Sequence, residues 1–313
     1  MTIGIADVRV GHWTDPVART GCTVIRLPER TAASYEIRGG APASRELDTL
    51  AADKPPVWVD AIVLTGGSAY GLAAADGVMA YLEERGRGAP TLAGRVPVVP
   101  ALALFDLTTG DPDARPTAAH GYLAATASAG PQIVTGRVGA GTGAHVSRWR
   151  GPQAHLRGGI GYARRQLGDL VVATLCVVNA FGDIDDGTTD IVLDAVAELP
   201  TPRELTGSRT HTTIGAVLTN ARLDGAGCRV VAQGAHDGLA RALTPPHTRF
   251  DGDGFIAAAT GTVAADAETV RLMGLATVAE AIRSLAASGL STPDATRHAR
   301  WGNARLGATR PIH

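Results

Sequence analysis

Two adjacent threonines, Thr212 and Thr213, stand where a polar segment passes into the aliphatic and β-branched run Ile214-Gly215-Ala216-Val217-Leu218-Thr219-Asn220. The upstream stretch Leu199 to Gly207 holds two prolines and a terminal glycine and reads as loop by composition. The run after it reads as a buried strand. A loop-to-strand junction presents a side chain while the scaffold fixes where it points. Strand alternation puts Thr212, Ile214, Ala216 and Leu218 on one face and Thr213 on the other. Taken alone, both threonines also suit a strand simply as β-formers.

The remaining elements interleave. Strands are expected at Thr23–Leu27, Ser34–Arg38 and Val59–Leu64, and a helix from about Ala69 to Arg85 with Leu72, Val78, Met79 and Leu82 on its apolar stripe. Val96–Leu107 is strand-like but carries Pro97 and Pro100, which mark edges or bends. A loop at Thr108–Pro116 leads to a helix at Thr117–Ala129. Leu170–Val178 is the strongest buried strand and ends at Asn179-Ala180-Phe181-Gly182-Asp183. A helix at Cys228–Leu243, a small-residue strand at Gly254–Thr260 and a long helix at Ala267–Ala287 follow, with a polar tail from Ser291 to His313. This order predicts one α/β domain over residues 1–313. Aromatics make up only 4% of the chain against 39 glycines and abundant alanine, so its layers should pack closely through small residues.

Several function classes are disfavoured. The formal charge is −1 with dispersed Lys and Arg, so no basic stripe supports nucleic-acid or anionic-membrane binding. Cys22, Cys176 and Cys228 have no metal or redox spacing, and so few suggest a reducing compartment. The first nine residues lack a signal-peptide apolar core, and the apolar run Leu170–Val178 is too short to span a bilayer. A cytoplasmic protein is expected. Gly139-Ala140-Gly141-Thr142-Gly143 lacks the third glycine and the downstream acid of a dinucleotide site. Ser68 in Gly67-Ser68-Ala69-Tyr70-Gly71 sits one position early for a nucleophile elbow. Asp251-Gly252-Asp253-Gly254 has too few oxygen ligands for a calcium loop. The nine histidines are scattered without metal-ligand spacing, and neither a metal nor an organic cofactor is implied.

A constellation remains: Thr212 after a loop, Asn179 at the end of the strongest strand, Arg148 after a glycine turn, and Asp251 with Asp253 in one tight loop. Eight motifs carry a family likeness. They are Arg38-Gly39-Gly40-Ala41-Pro42, Leu64-Thr65-Gly66-Gly67-Ser68-Ala69-Tyr70-Gly71-Leu72, Gly139-Ala140-Gly141-Thr142-Gly143-Ala144, Gly158-Gly159-Ile160-Gly161, Val178-Asn179-Ala180-Phe181-Gly182-Asp183, Thr212 to Asn220, Ala235-His236-Asp237-Gly238-Leu239-Ala240-Arg241-Ala242, and His247-Thr248-Arg249-Phe250-Asp251-Gly252-Asp253. In that order, over nearly the whole chain, they resemble the DmpA-type L-aminopeptidase/D-esterase family, which includes the nylon-oligomer hydrolase.

The resemblance implies a four-layer αββα sandwich related to the N-terminal-nucleophile hydrolases and to ornithine acetyltransferase. It implies a precursor that cuts itself between His211 and Thr212, leaving chains 1–211 and 212–313. It makes Thr212 the nucleophile of a hydrolase acting on small peptides or amide oligomers. Asn179 becomes the oxyanion donor, Asp251 and Asp253 orient or charge-balance the site, and Phe105 falls where the nylon-oligomer enzyme has a tyrosine near the substrate. Apart from the resemblance, Tyr70 and Arg148 are further expected to shape the pocket. No cofactor is implied, and a homo-oligomer of four or more copies is. Two departures stand out. Arg148 replaces the lysine of the nylon-oligomer enzyme, and an arginine does not give up its proton for base work. His211 replaces the asparagine before the cut. An acyltransferase of the ornithine acetyltransferase type and an uncleaved, catalytically silent small-molecule-binding relative stay open as alternatives.

Overall fold

The computed structural model describes residues 1–130, 132–150, 155–185 and 210–287; the loop expected at 199–207 and the tail from 291 lie outside them. Two five-stranded sheets face each other. The first comprises β1 (Arg9–Asp15), β2 (Thr20–Arg26), β3 (Ala32–Ile37) being reserved to the second, β4 (Ala43–Arg45), β5 (Ala61–Thr65) and β6 (Ala101–Ala103), in the order β1-β2-β5-β6-β4. The second runs β7 (Gly159–Leu167), β8 (Leu170–Asn179), β9 (Thr212–Ala221), β10 (Gly254–Val263) and then β3. Pairing is antiparallel except for β5 with β6 and β9 with β10.

Period-two alternation sorts the side chains of these strands into three cores. Ile25, Leu64, Leu102, Leu175, Ile214 and Ile256 point between the sheets. Cys22, Val24, Val63 and Ala101 point outward beneath α1 (Ala74–Glu83) and α2 (Ala118–Ala127). Val172, Cys176, Val217 and Phe255 point the other way, beneath α3 (Gly225–Ala240) and α4 (Ala267–Ala287). The result is the four-layer αββα sandwich. All ten residues of β8 are buried because both of its faces are covered, which is why it reads as a continuous apolar run.

Several element boundaries differ from expectation, each for a local reason. The helix expected over 69–85 is two pieces, a single turn at Ser68–Gly71 and then α1. Gly67 and Ser68 both hold positive φ there (78° and 54°) as the chain leaves β5. Within Val96–Leu107 only Ala101–Ala103 forms a strand of the sheet, because Pro97 and Pro100 cannot donate to a ladder. α3 begins three residues before Cys228, where Asp224 caps it by accepting from Gly227 N–H at 2.8 Å. β7 was not anticipated: Arg164, Arg165 and Gln166 break its apolar pattern. It pairs with β8 through the two-residue turn Gly168-Asp169, with Gly168 at φ 56°.

Small residues let the layers close. Gly77 of α1 and Gly121 of α2 meet opposing backbone so tightly that a methyl on either would lie 1.7 or 1.8 Å from the carbonyl oxygen of Ala118 or Ala74. Gly121→Ala should therefore destabilise the protein on the order of 1–3 kcal/mol by forcing the helices apart, despite the roughly 1 kcal/mol helix preference of alanine over glycine. Chemical denaturation checks this; an unchanged or higher midpoint would contradict the reciprocal contact.

Candidate active site

Thr212 opens β9 at the mouth of the sandwich. Across the ladder it faces Asn179, the last residue of β8. On the other side the segment before β10 lies beside the incoming chain. His211 and Asp251 form a parallel bridge, His211 N–H donates to the Phe250 carbonyl at 3.4 Å, and Gly252 N–H donates to the His211 carbonyl at 2.9 Å. The Thr212 hydroxyl donates to that same carbonyl oxygen. So the carbonyl of the 211–212 peptide is gripped by a backbone N–H and by the hydroxyl of the next residue. Gly252 can come this close because it has no side chain; a Cβ there would sit 2.5 Å from the Ala41 oxygen and 3.0 Å from Thr212 Oγ1. Thr212 itself is only 4% exposed.

Both aspartates are buried and fully engaged, not surface turn residues. Asp251 accepts from Phe181 N–H (3.2 Å) with one oxygen and from Thr248 N–H (3.0 Å) and the Thr248 hydroxyl with the other. Burial pushes its carboxyl up to about 8, with the neighbouring Asp253 adding to the rise. Asp253 accepts from Thr213 N–H at 2.7 Å, which fixes the residue next to Thr212, and from His247 through N–H (3.2 Å) and Nδ1 (2.8 Å). The strand end is thereby bolted to the Asp251–Asp253 loop, and Gly39 and Gly40 brace that loop from behind. Ala41 N–H donates to the Asp251 carbonyl at 2.9 Å, and Arg38 N–H to that of Asp253 at 2.9 Å.

Asn179 is completely buried. Its Oδ1 accepts from His145 N–H at 3.0 Å, which fixes the orientation of the amide. Its Nδ2 donates to the Phe105 carbonyl (3.1 Å) and more weakly to that of Thr210 (3.4 Å). The His211 carbonyl is thus held by Gly252, while Asn179 holds the carbonyl one residue earlier. Phe105 touches the site through its backbone.

Arg148 lies in the short turn that returns toward Asn179: Ser147 N–H donates to the Gly182 carbonyl (2.9 Å) and Trp149 N–H to that of Phe181 (3.1 Å). The Phe181 ring, packed with Trp149 and Phe250, lies 5.0 Å from the His211 ring, tilted by 42°. Burial, then the positive charges of Arg148 and His155, push the His211 imidazole down to about 3, so it is neutral. The remaining pocket expectation fares differently. Tyr70 is 61% exposed and carries the Arg115 guanidinium over its ring at 3.9 Å, and none of its described contacts reaches Thr212.

Residue-type reasoning passed over three groups. Gly252 acts through its backbone, which leaves no side-chain signature. His247 stands six residues before Asp253 inside a motif already singled out, and that spacing was its only signal. Asp106 follows Phe105 and is buried, accepting from Gly67 N–H (2.7 Å) and the Thr20 hydroxyl (2.8 Å); burial raises its carboxyl above the usual range. Among the described residues no group of three or more His, Cys, Asp or Glu is placed to hold a metal, and no helix is long and apolar enough to cross a membrane.

The profile of peptidase family S58 matches residues 3–294. The chain belongs to peptidase family S58. An uncharacterized aminopeptidase of Mycobacterium leprae is 42% identical over 293 residues, covering 84% of this chain and 79% of its own length. A 6-aminohexanoate-oligomer endohydrolase of Kocuria sp. is 29% identical over 263 residues, covering 78% and 70%. Among solved structures, the Burkholderia sp. beta-aminopeptidase superposes with a TM-score of 0.69 at 22% identity, covering 90% of this chain and 84% of that one. The L-aminopeptidase D-Ala-esterase/amidase of Ochrobactrum anthropi, described as a variant of the Ntn-hydrolase fold, gives 0.68 at 18% over the same shares. The αββα fold is therefore that of the Ntn-type aminopeptidases, and an S58 chain is a hydrolase.

The buried Asp251 carboxyl gives a pH signature. Unfolded, it ionises near its ordinary value of 3.8, and folded it holds its proton to about 8. Between those values the unfolded state sheds the proton first, so rising pH favours unfolding. The stability of the protein relative to its Asp251→Asn variant should fall as pH rises through that window and level off above it. Urea titrations of both proteins across the window check this, and a flat difference would contradict it.

Proposed function

We propose that this S58 chain cuts its own backbone between His211 and Thr212, and that the freed Thr212 is then the nucleophile of an aminopeptidase or amidase acting on small peptides or amide oligomers. The observation that carries the proposal is the grip on the His211 carbonyl by the Thr212 hydroxyl and Gly252 N–H. In the first reaction Thr212 Oγ1 adds to the His211 carbonyl carbon, and negative charge develops on an oxygen that already faces Gly252 N–H at 2.9 Å. The carbon–nitrogen bond then breaks, the hydroxyl proton passes to the departing nitrogen, and an ester links His211 to Thr212 Oγ1. Water hydrolyses that ester, leaving a carboxylate on His211 and a free amine on Thr212.

The new amine supplies what a threonine hydroxyl lacks, an adjacent base. Its reference pKa of roughly 7.7–8.0 leaves a fair fraction neutral near pH 7. Attack on a substrate amide repeats the same steps: an acyl ester forms, the substrate amine leaves, and water releases the acyl group. Asn179 Nδ2 now donates to a carbonyl of the segment that the cut frees, Thr210, so departure of that segment releases the amide for a substrate oxyanion. Asp253 holds Thr213 N–H and keeps the new terminus in register. A half-buried guanidinium at Arg148 adds positive potential without acting as a base. The names of the relatives, aminopeptidases and an amide-oligomer hydrolase, support peptide or amide substrates.

Denaturing mass analysis of purified protein should show two chains, 1–211 and 212–313, while Thr212→Ala should remain one intact, inactive chain. Full amide hydrolysis by an uncut protein would rule the mechanism out.

A further inference from the structure

Positive charge gathers on one side of the site, with Asp106 the one acid whose charge acts on Arg148. Arg148 Nη2 and Arg19 Nη1 both reach Thr109, donating to its hydroxyl and its carbonyl at 3.4 Å each. Arg137 donates to the Thr142 carbonyl at 2.7 Å on the neighbouring glycine turn. His145 sits between them, its Nδ1 3.0 Å from the Gly143 carbonyl, while its own N–H holds Asn179. Among the described residues, none of Arg19, Arg137 and Arg148 lies within ion-pairing distance of a carboxylate. The nearest acid to act on Arg148 is Asp106, and its two oxygens already accept from Gly67 and Thr20. Arg148 Nε is buried and has no acceptor among the described residues.

A desolvated guanidinium cannot escape by losing its proton, so an unmet donor there favours an incoming anion. The position of Arg148 says which part of a substrate would bring it. The Arg148 turn is hydrogen-bonded to the Phe181 loop, and the Phe181 ring packs at a tilt against the side chain of His211, the residue whose carbonyl Thr212 faces. In the uncut chain His211 would then occupy the place of a substrate's acyl residue, and the positive charge of Arg148 already acts on its imidazole. Of the ordinary side chains, a carboxylate alone would turn this environment from a penalty into an attraction, and an ammonium would be repelled.

We propose that Arg148, assisted by Arg19 and Arg137, forms an anion subsite that makes the enzyme select amides whose acyl residue carries a side-chain carboxylate. This inference rests on the reading of Thr212 as the hydrolytic nucleophile and adds a substrate class to it. The guanidinium fork of Arg148 suits a planar carboxylate, whereas the two outer arginines act through their field, which salt screens.

The p-nitroanilides of glutamate and glutamine test it, because the pair matches in size and differs in charge. Processed enzyme should favour the glutamate anilide by about tenfold or more in kcat/KM, and the ratio should fall as salt is raised. Arg148→Gln should bring the ratio near one, with Arg148→Lys keeping part of it. A ratio at or below one in processed enzyme that hydrolyses the glutamine anilide overturns the inference and leaves the hydrolase reading standing. So does a ratio that Arg148→Gln leaves unchanged. If Arg148→Gln fails to process, the Arg19→Gln/Arg137→Gln double variant decides: a lowered ratio supports the subsite and an unchanged one overturns it. A wild-type chain that neither cuts itself nor hydrolyses either anilide removes the hydrolase reading and this inference with it.

Discussion

One hydrogen bond organises the site: Gly252 N–H to the carbonyl of His211. It joins the segment before β10 to the residue before β9, and it does so through main chain on both sides. Because the donor is a backbone group on a loop braced by Gly39, Gly40 and the two aspartates, it needs no reorganisation when charge appears on the oxygen. The Thr212 hydroxyl meets the same group from its own residue, so both partners of the proposed cleavage step are positioned by backbone pairing. Local side-chain flexibility has little part in it.

That pairing depends in turn on the close approach of small residues. A Cβ at Gly252 would meet Thr212 Oγ1, and one at Gly39 would lie 2.5 Å from the Asp251 carbonyl oxygen. At Gly66 and Gly143 it would strike the Asp106 side chain, and at Gly158 the Val178 carbonyl just before Asn179. The glycines distributed through the chain thus have a common use here: they let backbone from both sheets converge on one point. The scarcity of aromatic residues follows, since the layers are too close for many of them, and Trp149, Phe181 and Phe250 are grouped in one small cluster beside His211.

Much of this was legible in the residues. The alternation in Thr212–Leu218 groups Thr212 with Ile214, Ala216 and Leu218 on one face, and those three aliphatic residues do lie together in the central core. The continuous apolar run of β8 announced a strand covered on both sides, and Asn179 marks its end. Strands whose burial is uneven were harder. β7 hides behind Arg164-Arg165-Gln166, and β1, with four of its seven residues only partly buried after Gly11, shows no clean period. The site was legible as a set of residue types and illegible as geometry. Asp251 and Asp253, two apart, look like turn formers, and only the fold shows that one faces Phe181 and Thr248 while the other holds Thr213 and His247. A main-chain donor such as Gly252 N–H leaves no trace in composition at all. Tyr70 is the opposite case, a residue drawn in by its motif whose ring faces solvent and Arg115.

The replacement of a lysine by Arg148 bears on how the proton moves. A buried lysine can be neutral and accept a proton; a guanidinium stays charged at any pH at which the protein folds. The proposed mechanism must therefore take its base from elsewhere. The imidazole of His211 belongs to the departing residue and is neutral beside Arg148, and Asp251 holds its proton through the neutral range. If the chain is cut as proposed, the α-amine of Thr212 is the basic group that covalent geometry keeps beside the hydroxyl. In that proposed mechanism the positive charge of Arg148, which already acts on the neighbouring His211 imidazole, would disfavour the ammonium form and keep more of the amine free to take a proton. The same charge that would draw an anionic acyl group would in this way also prepare the base that acts on it.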